Sequence, residues 1–153
     1  MRTRILGMVT ALIVAGVALF GRDRIATLFA GTTEARLPIS SLLSDLQAIP
    51  LHPGDRMDGG IRSFDKTVIV GATMHVSTDS PMASVIAYYV ETLPRLGWVR
   101  SDDDRRPDEV KFCKSGTSLL VQASNDKDHP IYYIGVVWTS YRGSQSYCPR
   151  TAT

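Results

Sequence analysis

The residues best suited to covalent chemistry in this sequence are its two cysteines, Cys113 and Cys148. Neither belongs to a C-x-x-C pair, and neither lies at a Cys/His spacing typical of a zinc site. Two cysteines outside any apolar leader favour one disulfide in an oxidising compartment. Such a bond would close a loop of about 35 residues and stabilise the fold by about 3–4 kcal/mol in the chain-entropy model. The alternatives are two unrelated thiols in a cytosolic protein, or a nucleophilic Cys113.

The histidines and the acidic residues do not predict a metal site. His52, His75 and His129 are too scattered to pair by sequence, and we expect His75 on the polar, solvated face of a strand. The 102–109 segment is the densest acidic run, but it lacks the D-x-D-x-D-G pattern of a calcium loop and contains two arginines. We therefore expect a solvated loop there and a polar turn around His129. A catalytic pair of carboxylates remains an alternative, although no motif indicates one.

The serine motifs do not indicate an active site either. The S-x-x-K spacing occurs at Ser63/Lys66 and at Ser124/Lys127, but the companion S-D-N and K-T-G motifs are absent from the sequence. The sequence also has no G-x-S-x-G elbow, no Walker loop and no G-x-G-x-x-G. Because these motifs are absent or incomplete, the sequence predicts a protein that is not an enzyme and that uses no metal and no organic cofactor.

The elements that would position these residues start with an apolar segment. A basic head at 1–4 precedes residues 5–21, which contain no charged side chain. A helix of this length rises about 25 Å, close to the thickness of a bilayer's hydrocarbon core. We expect a transmembrane or signal segment at 5–24, retained as an anchor because charged flanks follow the apolar run. The alternative is a signal peptide cleaved after small residues such as Gly16 and Ala18.

The anchor and the cysteines together predict the localisation. We expect a single-pass inner-membrane protein with its C-terminal domain in the periplasm, or a protein secreted to the periplasm after signal cleavage. The positive-inside comparison is nearly balanced, so the orientation depends on the cysteines. Four of the 17 Lys/Arg and two of the 15 Asp/Glu precede Arg36, which leaves 13 of each. This neutral remainder predicts no nucleic-acid partner.

The rest of the chain divides into three parts. Residues 25–54 are a predicted linker, in which Ile39–Ile49 has the apolar spacing of a short amphipathic helix; a loosely docked connector is the alternative. Residues 55–142 are the predicted α+β domain. Residues 143–153 form a Ser/Gly/Arg/Tyr-rich tail that a disulfide would pin to the domain.

The strands of this domain are predicted from alternation of apolar and polar residues. A long strand is expected at 66–78, with 61–64 either an earlier strand or part of the same one. Short strands are expected at 98–101, 110–114, 117–124 and 131–140. Hairpin spacings predict an antiparallel β-meander of about five strands, with one main helix packed on one face and an N-terminal membrane helix before it.

The main helix is predicted between Asp79 and Trp98. Asp79 or Ser80 is expected to cap it, with Pro81 in the first turn. Pro94 should loosen the last turn, and Gly97 should end the helix in a left-handed conformation. The inward stripe recurs at steps of three and four residues and consists of Met82, Val85, Ile86, Tyr89, Leu93 and Leu96.

A motif in this helix resembles one found in a family of small exported bacterial domains. The motif is Tyr88-Tyr89-x-x-x-Leu93-x-x-x-Gly97-Trp98, and the Pro53-Gly54 turn stands before it. Many proteins of this kind are uncharacterised periplasmic proteins or lipoproteins. The resemblance covers about residues 50–140 and implies a strand, a helix and a β-meander, with no catalytic residue. This chain lacks a lipobox cysteine, so the resemblance implies anchoring by a helix.

The second face of the predicted sheet is the candidate partner surface. Leu120, Tyr133 and Val137 point to it and make it less polar than a solvated face; cover by the C-terminal tail is the simpler account. We therefore expect a non-enzymatic envelope protein that binds or scaffolds an unknown protein partner. The alternatives are an immunity protein against a periplasmic toxin and an envelope hydrolase. A cleft lined by two carboxylates or by a His–Asp pair would favour the hydrolase, and a flat apolar patch on the open sheet face would favour binding.

Overall fold

The structure is a computed structural model that describes residues 35–101, 107–124 and 131–150. The predicted head, the membrane segment at 5–24 and residues 25–34 of the predicted linker lie outside these ranges, as does His129. Across the three described ranges, every helix is too short or too polar to cross a bilayer.

The described residues form one antiparallel sheet of six strands with two helices. The elements follow in the order α1 (Ile39–Gln47), β1 (Arg56–Lys66), β2 (Ile69–Ser77), α2 (Met82–Thr92), β3 (Val99–Arg100), β4 (Glu109–Lys114), β5 (Thr117–Ala123) and β6 (Ile131–Thr139). The sheet order is β1-β2-β6-β5-β4-β3. The predicted α+β class is confirmed, with one strand and one helix more than the predicted core of five strands and one helix.

The extra strand is β1, which contains the 61–64 segment predicted either as an earlier strand or as part of the strand at 66–78. Lys66 pairs with Ile69, so Thr67 and Val68 form a two-residue hairpin loop between β1 and β2. The apolar alternation of this segment continues through the loop, because Val68 has the same parity as the inward residues of β2. Periodicity alone therefore did not reveal the turn.

The meander is confirmed for the last four strands, which pair consecutively from β3 to β6. β2 pairs with β6, not with β3. Helix α2 therefore carries the chain from the β1–β2 side of the sheet to its opposite edge. It packs on β4 and β5, while α1 packs on β2 and β6, so the two helices share one face.

The core lies between these helices and the inner face of the sheet. Leu42 and Leu46 of α1 are fully buried there, as are Val85 and Tyr89 of α2. Burial of each large apolar side chain contributes about 1.5–3 kcal/mol. The predicted helix at Ile39–Ile49 is therefore part of the core and not a loosely docked connector. The sheet contributes Val70, Ala72, Met74, Val76, Val110, Phe112, Leu119, Val121, Tyr132, Ile134, Val136 and Trp138.

The two ends of α2 differ in how well they were predicted. The N-cap is Pro81, without a side-chain cap, so capping by Asp79 or Ser80 is wrong; the Ser80 amide instead donates to Oγ1 of Thr78 at 3.0 Å. At the other end, Pro94 cannot donate to the α-helical ladder, and the chain tightens into a 3-10 helix at Leu93–Leu96. Gly97 then adopts a φ of 81°, as expected.

Candidate functional site

The outer face of the sheet is the face opposite the helices. Residues directly paired across strands share a face, so the register of β2, β5 and β6 assigns it. Leu120 pairs with Gly135, and Tyr133 and Val137 flank Gly135 on the same strand. All three predicted partner-surface residues therefore lie together on the outer face, and each is half-buried.

Two glycines in the middle of this face have no side chain and leave room for their neighbours. A Cβ on Gly71 would lie 2.4 Å from Cζ of Phe64, so the Phe64 ring occupies the space above Gly71. Gly71 pairs with Val137, which places the ring beside that valine. A Cβ on Gly135 would lie 3.2 Å from Cγ2 of Thr73. The apolar surface therefore extends onto β1, and we call its members Phe64, Leu120, Tyr133 and Val137 the outer apolar patch.

His75 borders the outer apolar patch. It pairs across the strands with Tyr133, and the two ring centroids are 5.5 Å apart at an interplanar angle of 43°. The prediction placed His75 on a solvated polar face. It does lie on the outer face, but it is half-buried against a tyrosine. Its ring thus extends the patch along β2.

The C-terminal tail is held on the outer side of β4. Cys113 and Cys148 form a disulfide with Cα atoms 5.6 Å apart, as predicted. The buried Lys111 donates from Nζ to the Tyr147 carbonyl at 3.1 Å. Arg150 donates to the Ala35 carbonyl at 2.8 Å, beyond the β4–β5 turn. These bonds attach the tail at β4 and at the start of the described chain, whereas the outer apolar patch is centred on β5 and β6.

A pocket of about 430 Å³ lies beside the disulfide, at the β3 edge. Its two cations are Arg100 and Lys114. Nζ of Lys114 is 3.3 Å from a carboxylate oxygen of Asp45 and 5.3 Å from the Trp98 ring centroid, so this charge is already partnered. The lining consists of Gly97, Val99, Arg100, Ser101, Cys113, Lys114, Ser115 and Pro149.

The structure also brings together a histidine and an aspartate that sequence reasoning did not pair. Nδ1 of His52 is 3.4 Å from Oδ2 of Asp55 but makes no hydrogen bond to a described residue. The His52 ring stands edge-on to Tyr88, with centroids 5.3 Å apart. The available signal was the i,i+3 spacing inside the turn-rich 50–55 segment, because such a turn folds side chains back onto one another.

Asp55 is the centre of a hydrogen-bonded network. Thr78 donates from Oγ1 to its Oδ1 at 2.7 Å, and Tyr132 donates from its hydroxyl to Oδ2 at 2.9 Å. The hydroxyls of Tyr132 and Tyr89 are 3.1 Å apart. Burial raises the pKa of Tyr89 and that of Tyr132 well above the usual value for tyrosine, so both phenols stay protonated even at moderately alkaline pH.

This network is suited to joining elements and not to transforming a substrate. The Asp55 side chain is 2% exposed and both of its oxygens accept hydrogen bonds, while His52 is 13% exposed. A general acid or base must reach the reacting group within hydrogen-bond distance. An enclosed carboxylate that is already engaged does not meet that requirement. Over the described ranges, no group of three or more His, Cys, Asp or Glu residues is placed to hold a metal ion.

A scan against protein-family models, a search of curated proteins and a search of solved structures each found no match to this chain.

Proposed function

We propose that this chain is a non-enzymatic cell-envelope protein, anchored or secreted, whose extracytoplasmic domain binds a protein partner through the outer apolar patch. The observation that carries this proposal is the position of Leu120, Tyr133 and Val137, which lie together on the face that neither helix covers. Contiguous apolar surface on a domain of this size is typical of an interaction site. Tyrosine is enriched in such sites because its ring is rigid and amphipathic.

The two edges of the sheet support a binding site on the face. In β1, the three residues between Asp58 and Arg62 lie opposite one residue of β2, so the register of the strand pair shifts there, as at a β-bulge. A bulge of this kind bends the strand and blocks regular pairing with another chain. At the other edge, β3 has only two residues. Neither edge offers a long regular ladder, so the face is the better candidate.

The disulfide supports an oxidising compartment, because such bonds persist outside the reducing cytosol. The apolar segment at 5–21 supports export or anchoring, and it lies outside the described residues. The His52–Asp55 pair was the feature that would favour a hydrolase if it lined a cleft. Its burial and its occupied carboxylate favour a structural role instead.

Site-specific photo-crosslinking tests the proposal in whole cells. A benzophenone amino acid replaces Tyr133 in the full chain, and the matched control replaces Arg95, which is exposed on the helix side. We expect a discrete protein adduct from position 133 and none from position 95. No adduct from 133, or equal adducts from both positions, would contradict binding through the outer face.

A further inference from the structure

A row of cations lies along the outer side of β1. Arg56 pairs with Ser77, Arg62 with Thr73 and Lys66 with Ile69, so all three point to the outer face. Each is exposed. Asp58 is the one acidic residue with the same orientation on this strand. The outer side of β1 therefore carries three positive charges and one negative charge, and we call Arg56, Arg62 and Lys66 the basic row.

Among the described residues the basic row has no ion-pair partner, which distinguishes it from the opposite side of the same strand. There, Asp65 forms an ion pair with Arg36, which precedes α1. None of the three residues of the basic row forms an ion pair with a residue in the described ranges. Their charges are therefore available to a molecule that lies on the outer face.

The basic row and the outer apolar patch are continuous. Phe64 lies between Arg62 and Lys66 on the outer side of β1, and its ring reaches over Gly71 on β2. Strands in a sheet are about 4.8 Å apart, so β6 lies about 10 Å from β1. A bound segment a few residues long would span this distance and meet the cations at one end and Val137 at the other.

We infer that the partner segment on the outer face is acidic, with carboxylates that pair with the basic row and an apolar side chain that packs on the outer apolar patch. This inference rests on the proposed function. A guanidinium binds a carboxylate through two parallel hydrogen bonds, and the two arginines suit that geometry. Complementary charge of this kind gives specificity and fast association, while the apolar contact contributes most of the affinity.

The test uses the crosslinkable residue at position 133 in the full chain and changes the charge of the basic row. The variant combines Arg56→Gln, Arg62→Gln and Lys66→Gln. We expect the yield of the protein adduct to fall about tenfold, because three exposed charge pairs of modest strength are lost together. In a detergent extract, raising the ionic strength should lower the wild-type yield in the same direction.

The matched control is Arg95→Gln with the same crosslinker. Arg95 is an exposed arginine on the helix side, and we expect its replacement to leave the yield unchanged. An unchanged denaturation midpoint for the triple variant shows that the fold is intact, since all three side chains are solvated.

The outcomes separate the inference from the function on which it rests. A strong adduct whose yield changes neither in the triple variant nor with salt overturns the inference of an acidic segment. The proposed function, a partner on the outer face, would still hold. An adduct whose added mass is that of one phospholipid shows a membrane surface as the occupant and overturns the acidic protein segment. Absence of any adduct from the unaltered chain overturns the inference and the proposed function together.

Discussion

At the scale of single residues, Asp55 joins three parts of the chain. Its carboxylate accepts from Thr78, just after β2, and from Tyr132, at the start of β6. Tyr132 in turn contacts Tyr89 in the middle of α2. Hydrogen bonds to a buried carboxylate are each worth about 1.5–3 kcal/mol, and leaving one unmade exposes the full desolvation penalty of the charge. The network therefore fixes α2 relative to the sheet.

Because of the two tyrosines in this network, we expect the free energy of unfolding to fall at alkaline pH. The pKa of each is raised above 10.0 in the folded state, chiefly by burial. Above that pH the unfolded chain releases the phenolic protons and the folded chain keeps them. The folded state then binds more protons, so the free energy of unfolding decreases as the pH rises past 10.

The check is an alkaline absorbance titration of the tyrosines, recorded together with the unfolding transition. We expect Tyr89 and Tyr132 to ionise only when the chain unfolds. Ionisation of every tyrosine before unfolding begins would show that the pair is not enclosed as described.

At the scale of elements, local patterns identified most strands and the hairpin neighbours from β3 to β6, but not the neighbour of β2. Alternation is a property of consecutive residues, so it placed Leu120, Tyr133 and Val137 on one face of the sheet. The pairing of β2 with β6 joins segments distant in sequence, and no local pattern encodes it. The same limit applies to the outer face, where the sequence indicated three apolar residues but not the contribution of Phe64 from β1.

We expect the clearest mutational effect on stability from a substitution in helix α1. Leu46→Ala should lower the free energy of unfolding by about 2–5 kcal/mol, because the truncation leaves a cavity against the sheet. Denaturant unfolding followed by the fluorescence of the buried Trp98 and Trp138 measures it. Leu96→Ala is the matched control, since Leu96 is 38% exposed and its loss should cost less than about 1 kcal/mol. Equal effects would show that α1 is not part of the core.

At the scale of the whole molecule, a neutral α+β domain would stand outside the cytoplasm, behind an apolar segment at 5–21. A fusion of alkaline phosphatase to the C-terminus tests this arrangement, because that enzyme is active only after export. We expect full activity, and loss of activity when residues 5–21 are deleted. An inactive fusion of the unaltered chain, produced in normal amount, would contradict the proposed orientation and indicate that the domain lies in the cytoplasm.

The contact between Arg150 and the Ala35 carbonyl brings the two ends of the described chain within one hydrogen bond of each other. A domain closed in this way is suited to circular permutation, since a short peptide can join residue 150 to residue 35 without crossing the fold. New ends opened between β3 and β4 would leave the disulfide and the outer face in place. The apolar segment at 5–21 could then be attached at another edge of the sheet, which would change the direction in which the outer face points.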